Sequence, residues 1–165
     1  MRVFVPATLA MLQKLVADGS LRPVNGTAFA VTPTLRESYA EGDDDELTDV
    51  ALRDAALASL RLIGDQGDTG LPSRRAVLEA DADDVTLRPD LDDAVVRIPG
   101  EIPIGRVIAA YVDNAAAESA VAAAVEAVDE ADLGDEDAEL TVGDAQDHDL
   151  AWYAAQELPF LLELL

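Results

Sequence analysis

The chain has 165 residues, of which half are apolar and 27% are charged, and its 34 acidic against 11 basic residues give a formal net charge of −23. This is the length of one ordinary domain, and with only 4% aromatic residues we expect a core of Leu, Val, Ile and Ala. The negative charge repels phosphate backbones and anionic lipids, so we expect no nucleic-acid or membrane binding, and the lack of cysteine excludes disulfides, thiolate metal sites and cysteine nucleophiles.

The charge is distributed unevenly along the chain. Residues 1–41 carry four basic and three acidic groups, whereas residues 42–165 carry seven basic and 31 acidic groups. No apolar stretch approaches the roughly 20 residues that span a bilayer, and the N-terminus lacks the pattern of a signal peptide. We therefore expect a single acidic domain, residues 1–165, in the cytoplasm.

The first third of the chain alternates strand and helix signals. Residues 2–5 predict a short strand, and Thr8 is placed to cap a helix that closes at Gly19. Residues 28–31 predict a second strand, after which Thr32, followed by proline, predicts another helix start.

The middle third begins with a helix and continues with strands. The acidic cluster at residues 43–46 favours a helix N-terminus, and the helix is predicted to run to Ile63. Residues 64–73, with three glycines and a proline, predict a loop. Three β-branched or apolar runs then predict strands at residues 76–80, 94–98 and 107–112.

The last third is predicted to hold two helices around a short strand. Asp113 and Asn114 are good caps for an alanine-rich helix. Residues 138–142 alternate and predict a sixth strand, and a last helix is predicted through residues 150–158.

The predicted order of elements is typical of an α+β domain. We expect a mainly antiparallel or mixed sheet with helices packed on one face, and a ferredoxin-like topology. The alternative is a doubly wound α/β sheet, because the opening strand-helix-strand units are also compatible with parallel crossovers.

Three segments carry a resemblance: residues 2–8 (RVFVPAT), residues 27–33 (TAFAVTP) and residues 150–158 (LAWYAAQEL). On these the chain resembles a family of small, acidic, uncharacterised actinobacterial proteins, over nearly its whole length. The resemblance implies a lineage, and it implies no activity and no site residues.

Four side chains are candidates for holding a ligand. Arg74, Arg75 and Arg97 are candidates for an anionic group, and the alternative is pairing with local carboxylates. The single histidine, His148, lies between two aspartates, which suggests a general acid or half of a metal site, against the alternative of a solvated side chain.

The acidic segment from Asp129 onward does not fit a calcium loop. With Gly134 at the required glycine, Ala131, Leu133 and Leu140 fall where an EF-hand needs oxygen ligands. We therefore predict no metal site. Because the sequence also has no Gly-Lys-Ser/Thr phosphate loop, no G-x-S-x-G and no H-E-x-x-H, we predict no cofactor and name no catalytic residue.

The C-terminus concentrates large apolar side chains that must be covered. Packing on the domain's own sheet is one interpretation, and a homodimer or protein-partner surface is the other. The candidate partner-binding residues are Trp152, Tyr153, Phe160, Leu161 and Leu164.

Three functions remain open at this point. The first is a non-enzymatic interaction domain, self-associating through the C-terminal side chains. The second is a small enzyme or ligand-binding domain with a cleft at the strand ends, where the arginines and His148 converge. The third is a nucleic-acid mimic whose carboxylates occupy the groove of a basic protein.

Overall fold

The computed structural model describes residues 1–39 and 41–165. Within these residues the strands are β1 Arg2–Ala7, β2 Ser20–Leu21, β3 Thr27–Phe29, β4 Ala76–Asp81, β5 Thr86–Leu87, β6 Val95–Arg97, β7 Ile102–Pro103, β8 Val107–Val112 and β9 Ala151–Ala154. The α-helices are α1 Leu9–Asp18, α2 Pro33–Ser38, α3 Asp44–Gln66, α4 Glu118–Asp132, α5 Glu136–Gln146 and α6 Leu158–Glu163. None of the helices described is long and apolar enough to cross a membrane.

Seven strands form one sheet in the order β5-β6-β3-β1-β4-β8-β9, and β2 pairs with β7 in a separate ribbon. Every described pair is antiparallel, which confirms the α+β class and differs from the doubly wound alternative. Strands β3 and β4 are joined through α2 and α3 and flank β1, as in the split connection of a ferredoxin-like sheet. A ferredoxin-like sheet has four strands, and this sheet has seven, with β6 and β5 beyond β3 and β8 and β9 beyond β4.

Helices cover both faces of the sheet, which corrects the expectation of helices on one face. Val3 and Val5 on β1 pack in a core with α1 and α6, whereas Phe4 between them packs in a core with α2 and α3. The physical reason is that β1 and β4 are buried along nearly their whole length, and a strand that is apolar on both sides needs cover on both sides.

The predicted helix starts are confirmed by their caps. The side chains of Thr8, Thr32 and Asp43 each accept a hydrogen bond from the backbone amide three residues later. Gly19 ends α1 in the left-handed conformation, with φ of 80°. Helix α3 continues to Gln66, so the following loop begins three residues later than predicted.

Two predictions in the last third were wrong. Residues 138–142 lie in α5, because Asp135 caps that helix and Ala138, Val142 and Ala145 form a buried face at helical spacing. Residues 151–154 form β9, because Trp152 and its neighbours extend the sheet by pairing with β8.

Candidate ligand-binding cleft

The register of three strands brings distant parts of the sequence to one end of the sheet. Ala76 at the start of β4 pairs with Val112 at the end of β8, and Val112 pairs with Ala151 at the start of β9. The residues one step beyond these pairs are therefore neighbours in space. They include Arg75, which precedes β4, and Asp113, which follows β8.

Arg75 and Asp113 form a buried, two-pronged ion pair. Arg75 donates from Nε to Asp113 Oδ2 and from Nη2 to Asp113 Oδ1, both at 2.8 Å. The side chains are 3% and 0% exposed. The backbone amide of Arg75 also donates to Asp113 Oδ2 at 2.7 Å, and Nη2 donates to the carbonyl oxygen of His148 at 2.8 Å. These bonds hold the guanidinium in one orientation.

A buried serine fixes the backbone next to this pair. Ser59 on α3 donates its hydroxyl to the carbonyl oxygen of Ala7 at 2.7 Å and accepts from the amide of Ala76 at 3.0 Å. One side chain thus ties α3 to the ends of β1 and β4. The position of Arg75 is therefore set from the helix side as well as from the sheet side.

A cleft with a volume of about 280 Å³ opens above the pair, and Arg75 lines it. One wall is a single face of α3, at helical spacing. The other wall comes from the end of α5 and the segment that enters β9. The lining residues are Asp49, Leu52, Arg53 and Ala56 on the first wall and Gln146, His148, Asp149 and Leu150 on the second.

Two arginines line the cleft, and Asp113 balances the charge of one of them, Arg75. None of the described residues accepts a hydrogen bond from Nη1 of Arg75. Across residues 1–39 and 41–165, eight of the ten arginines have a carboxylate within 4.0 Å, and Arg53 is not one of them.

Of the four ligand candidates from the sequence, the structure brings Arg75 and His148 together in this cleft. Arg74 lies outside it and donates from Nε to Glu118 at 3.0 Å. Arg97 lies on β6, at the other side of the sheet, and donates to the carbonyl oxygen of Asn25. The candidates therefore divide into two that share a site and two that do not.

The C-terminal apolar residues divide between core and surface. Leu161 is buried and Tyr153 is half-buried, and both pack in the core that contains α1. Trp152, Phe160 and Leu164 are 58%, 69% and 85% exposed. Trp152 lies on β9, the last strand of the sheet, opposite Tyr111 of β8.

Several residues of this region were not identified from the sequence as candidates for ligand binding. Asp113 was interpreted as a helix cap, but it binds Arg75, and Asn114 alone caps the turn that leads into α4. Arg53 was overlooked because its surroundings in the sequence are typical of a solvated helix. A usable signal was present: the stripe from Asp49 to Ala56 mixes charged and apolar residues on one helix face.

Two titratable groups that do not line the cleft have shifted pKa values. Burial, and then the negative charges of Asp92 and Asp93, raise the pKa of Asp54 to about 6. Burial, and then the hydrogen bond from its hydroxyl to Glu79 at 2.9 Å, raise the pKa of Tyr111 to about 12. Asp54 is thus a half-buried carboxyl group that its neighbours keep from ionising easily.

No cluster of three or more His, Asp or Glu side chains suited to a metal ion occurs in the part of the chain that the structure describes. The side chains that line the cleft supply guanidinium, carboxylate, amide and imidazole groups.

Residues 1–162 match the family model DUF6912, which is described as a family of unknown function. No curated protein and no solved structure matches the chain.

Proposed function

The chain belongs to the DUF6912 family, a family of unknown function, and we propose that it is a small-molecule-binding protein whose cleft takes a compound with a carboxylate group. The observation that carries this proposal is the buried guanidinium of Arg75 at the cleft, which Asp113 holds in place while its Nη1 has no hydrogen-bond acceptor among residues 1–39 and 41–165.

A carboxylate fits this arrangement better than other groups. Asp113 and the carbonyl oxygen of His148 already occupy Nε and Nη2 of Arg75, so Nη1 is the donor left for one oxygen of a ligand carboxylate, in a charge-assisted hydrogen bond. Arg53 supplies a second positive charge on the wall.

The size and the walls of the cleft define the rest of the ligand. A volume of about 280 Å³ lies at the lower end of the roughly 300–1,000 Å³ that is usual for small-molecule sites. Leu52, Ala56 and Leu150 supply apolar wall. The ligand is therefore a small compound with a short hydrocarbon part, which excludes a dinucleotide.

Calorimetric titration with 4-methylpentanoate tests the proposal, because this ion joins a carboxylate to a short branched chain. We expect saturable binding with Kd on the order of 1 mM for wild type. The double variant R75M/D113L removes both charges while keeping the volume filled, so it folds and loses the binding. The matched control is R61Q, which changes a surface arginine paired with Asp132. Absent binding by wild type, or unchanged binding by the double variant, would contradict the proposal.

The second candidate is self-association through the C-terminal surface. It is favoured by the exposure of Trp152 and Phe160 together with the position of β9, whose outer edge pairs with no described strand. The occupant we propose is a second copy, because residues 151–154 (AWYA) carry no charge and so avoid the repulsion that the acidic surface imposes elsewhere. Antiparallel pairing of two β9 strands would join the sheets in a homodimer.

Light scattering after size-exclusion chromatography tests this second candidate. We expect the mass of a dimer for wild type and of a monomer for W152S/F160S. The matched control is L140S, where a leucine as exposed as Phe160 lies on helix α5 and not on the edge strand. A monomeric mass for wild type, or the same loss with the control, would remove this candidate.

Two further proposals concern origin and location. We propose an actinobacterial origin and a cytoplasmic location for this acidic protein. The first is supported by ten arginines against one lysine beside abundant alanine, a bias typical of GC-rich genomes, and the second by the absence of cysteine.

A further inference from the structure

We infer that the ligand of the cleft is a zwitterion of the α-amino-acid type, with an ammonium group beside its carboxylate. This inference rests on the proposed function and adds the second polar group of the ligand. It starts from Asp49 and Asp149, which line opposite walls of the same cleft. Neither forms an ion pair with any of the described residues.

The charges of the cleft favour a ligand that carries both signs. Asp113 already balances Arg75, so a simple anion meets one free positive charge, that of Arg53, and two carboxylates. The whole chain adds a net charge of −23 against such an anion. An ammonium group turns the two carboxylates from repulsive into attractive partners, while the ligand carboxylate still reaches the guanidinium.

The small size of the cleft favours one ligand that carries both charged groups. Arg75 and both aspartates line the same volume of about 280 Å³, so a single small molecule reaches all three. Leu52 and Leu150 border the same space and contact a side chain of branched hydrocarbon. This combination describes a small amino acid with an apolar side chain.

Three compounds with related skeletons separate the contributions of the two groups: L-leucine, 4-methylpentanoate, which lacks the ammonium group, and 3-methylbutylamine, which lacks the carboxylate. We expect calorimetry to show L-leucine binding at least about tenfold more tightly than either of the others, because one good charge-assisted contact is worth about that factor. Equal affinity for L-leucine and 4-methylpentanoate would overturn the zwitterion and leave the proposed function standing. Failure of all three to bind, or equal affinity for L-leucine and 3-methylbutylamine, would overturn both.

Exposed aspartates allow the same inference to be tested in the protein without risk to folding. In the double variant D49N/D149N we expect the preference for L-leucine over 4-methylpentanoate to fall from about tenfold to less than about twofold. The matched control is D144N, which changes an exposed carboxylate at the end of α5 outside the cleft lining. A preference that survives in D49N/D149N, or that D144N removes equally, would overturn the role of these two carboxylates.

Discussion

Two regions of the molecule hold an arginine against an aspartate at the same distance, and their surroundings differ. At the sheet end, Arg75 and Asp113 are 3% and 0% exposed, with nitrogen and oxygen 2.8 Å apart. Between α3 and α4, Arg61 and Asp132 are 42% and 49% exposed, also at 2.8 Å. The buried pair is supported by two further hydrogen bonds: the backbone amide of Arg75 donates to Asp113, and Nη2 of Arg75 donates to the carbonyl oxygen of His148.

The difference shows that distance alone does not identify an important ion pair. A surface pair exchanges water for a partner with little net gain, whereas a buried pair whose partner is removed leaves a charge without solvent. The sheet-end pair therefore fixes a guanidinium in space, and a cleft opens beside it. The α3–α4 pair stays within the solvated acidic surface.

The largest expected effect comes from breaking the buried pair on one side. Arg75→Ala leaves Asp113 buried and uncompensated, so we expect a loss of about 3–5 kcal/mol in the free energy of unfolding, measured by urea denaturation. The variant R75M/D113L leaves no lone charge, but the backbone amide of residue 75 loses its acceptor, so we expect a smaller loss of about 1–2 kcal/mol. Similar losses for both variants would show that packing, and not the lone carboxylate, sets the effect.

An intermediate effect is expected at Asp54, a half-buried carboxyl group whose ionisation is disfavoured by burial and by the negative charges of Asp92 and Asp93. Its pKa of about 6 lies above the usual value of 3.8, so the folded state binds the proton more tightly and loses stability as the pH rises from about 4 through 6. Asp54→Asn should therefore be more stable than wild type by about 1–2 kcal/mol at pH 7, after allowance for partial exposure.

The pH dependence is the check on this prediction. Thermal unfolding of Asp54→Asn and wild type should give closely similar stability near pH 3, below the ordinary pKa of 3.8, where the Asp54 carboxyl is mostly protonated in both states, and the difference should grow towards pH 7. A constant difference at all pH values would show that the effect does not arise from ionisation of Asp54.

The smallest effect is expected at the surface pair. Arg61→Ala should cost about 0–1 kcal/mol in the free energy of unfolding, because both side chains are largely hydrated. Urea denaturation at low and at high salt measures it, and the small loss should shrink at high salt. A loss as large as that of Arg75→Ala would erase the contrast between the two regions.

The sequence was most informative where local signals are strong. The capping signals at Thr8 and Thr32, the acidic cluster at residues 43–46 and the apolar strand runs led to α1, α2, α3, β1, β3, β4, β6 and β8, because a cap or a β-branched run acts over a few residues. The two-residue strands β2, β5 and β7 were not predicted. The sequence predicted the wrong element for α5 and β9, because these short segments fit both the helical and the strand periodicity. Their structure is decided by packing of α5 on α4 and pairing of β9 with β8.

Only part of the site could be predicted from the sequence, for the same reason. Arg75 and His148 stood out as chemistry-bearing residues in the sequence, but their proximity depends on the register of three strands. Asp113 lies 38 positions from Arg75, and no local pattern connects the two. Arg53 likewise forms no ion pair with a carboxylate of the described residues, and only the fold determines this.

The central claim is that the cleft at the sheet end binds a carboxylate through Arg75. Amide chemical shifts in ¹H–¹⁵N correlation spectra, recorded during titration with L-leucine, test it most directly. We expect saturable changes in the amide chemical shifts, centred on Arg53, Arg75 and His148, and we expect these changes to be lost in R75M/D113L. Shifts centred elsewhere on the molecule, or none at saturating ligand, would contradict it.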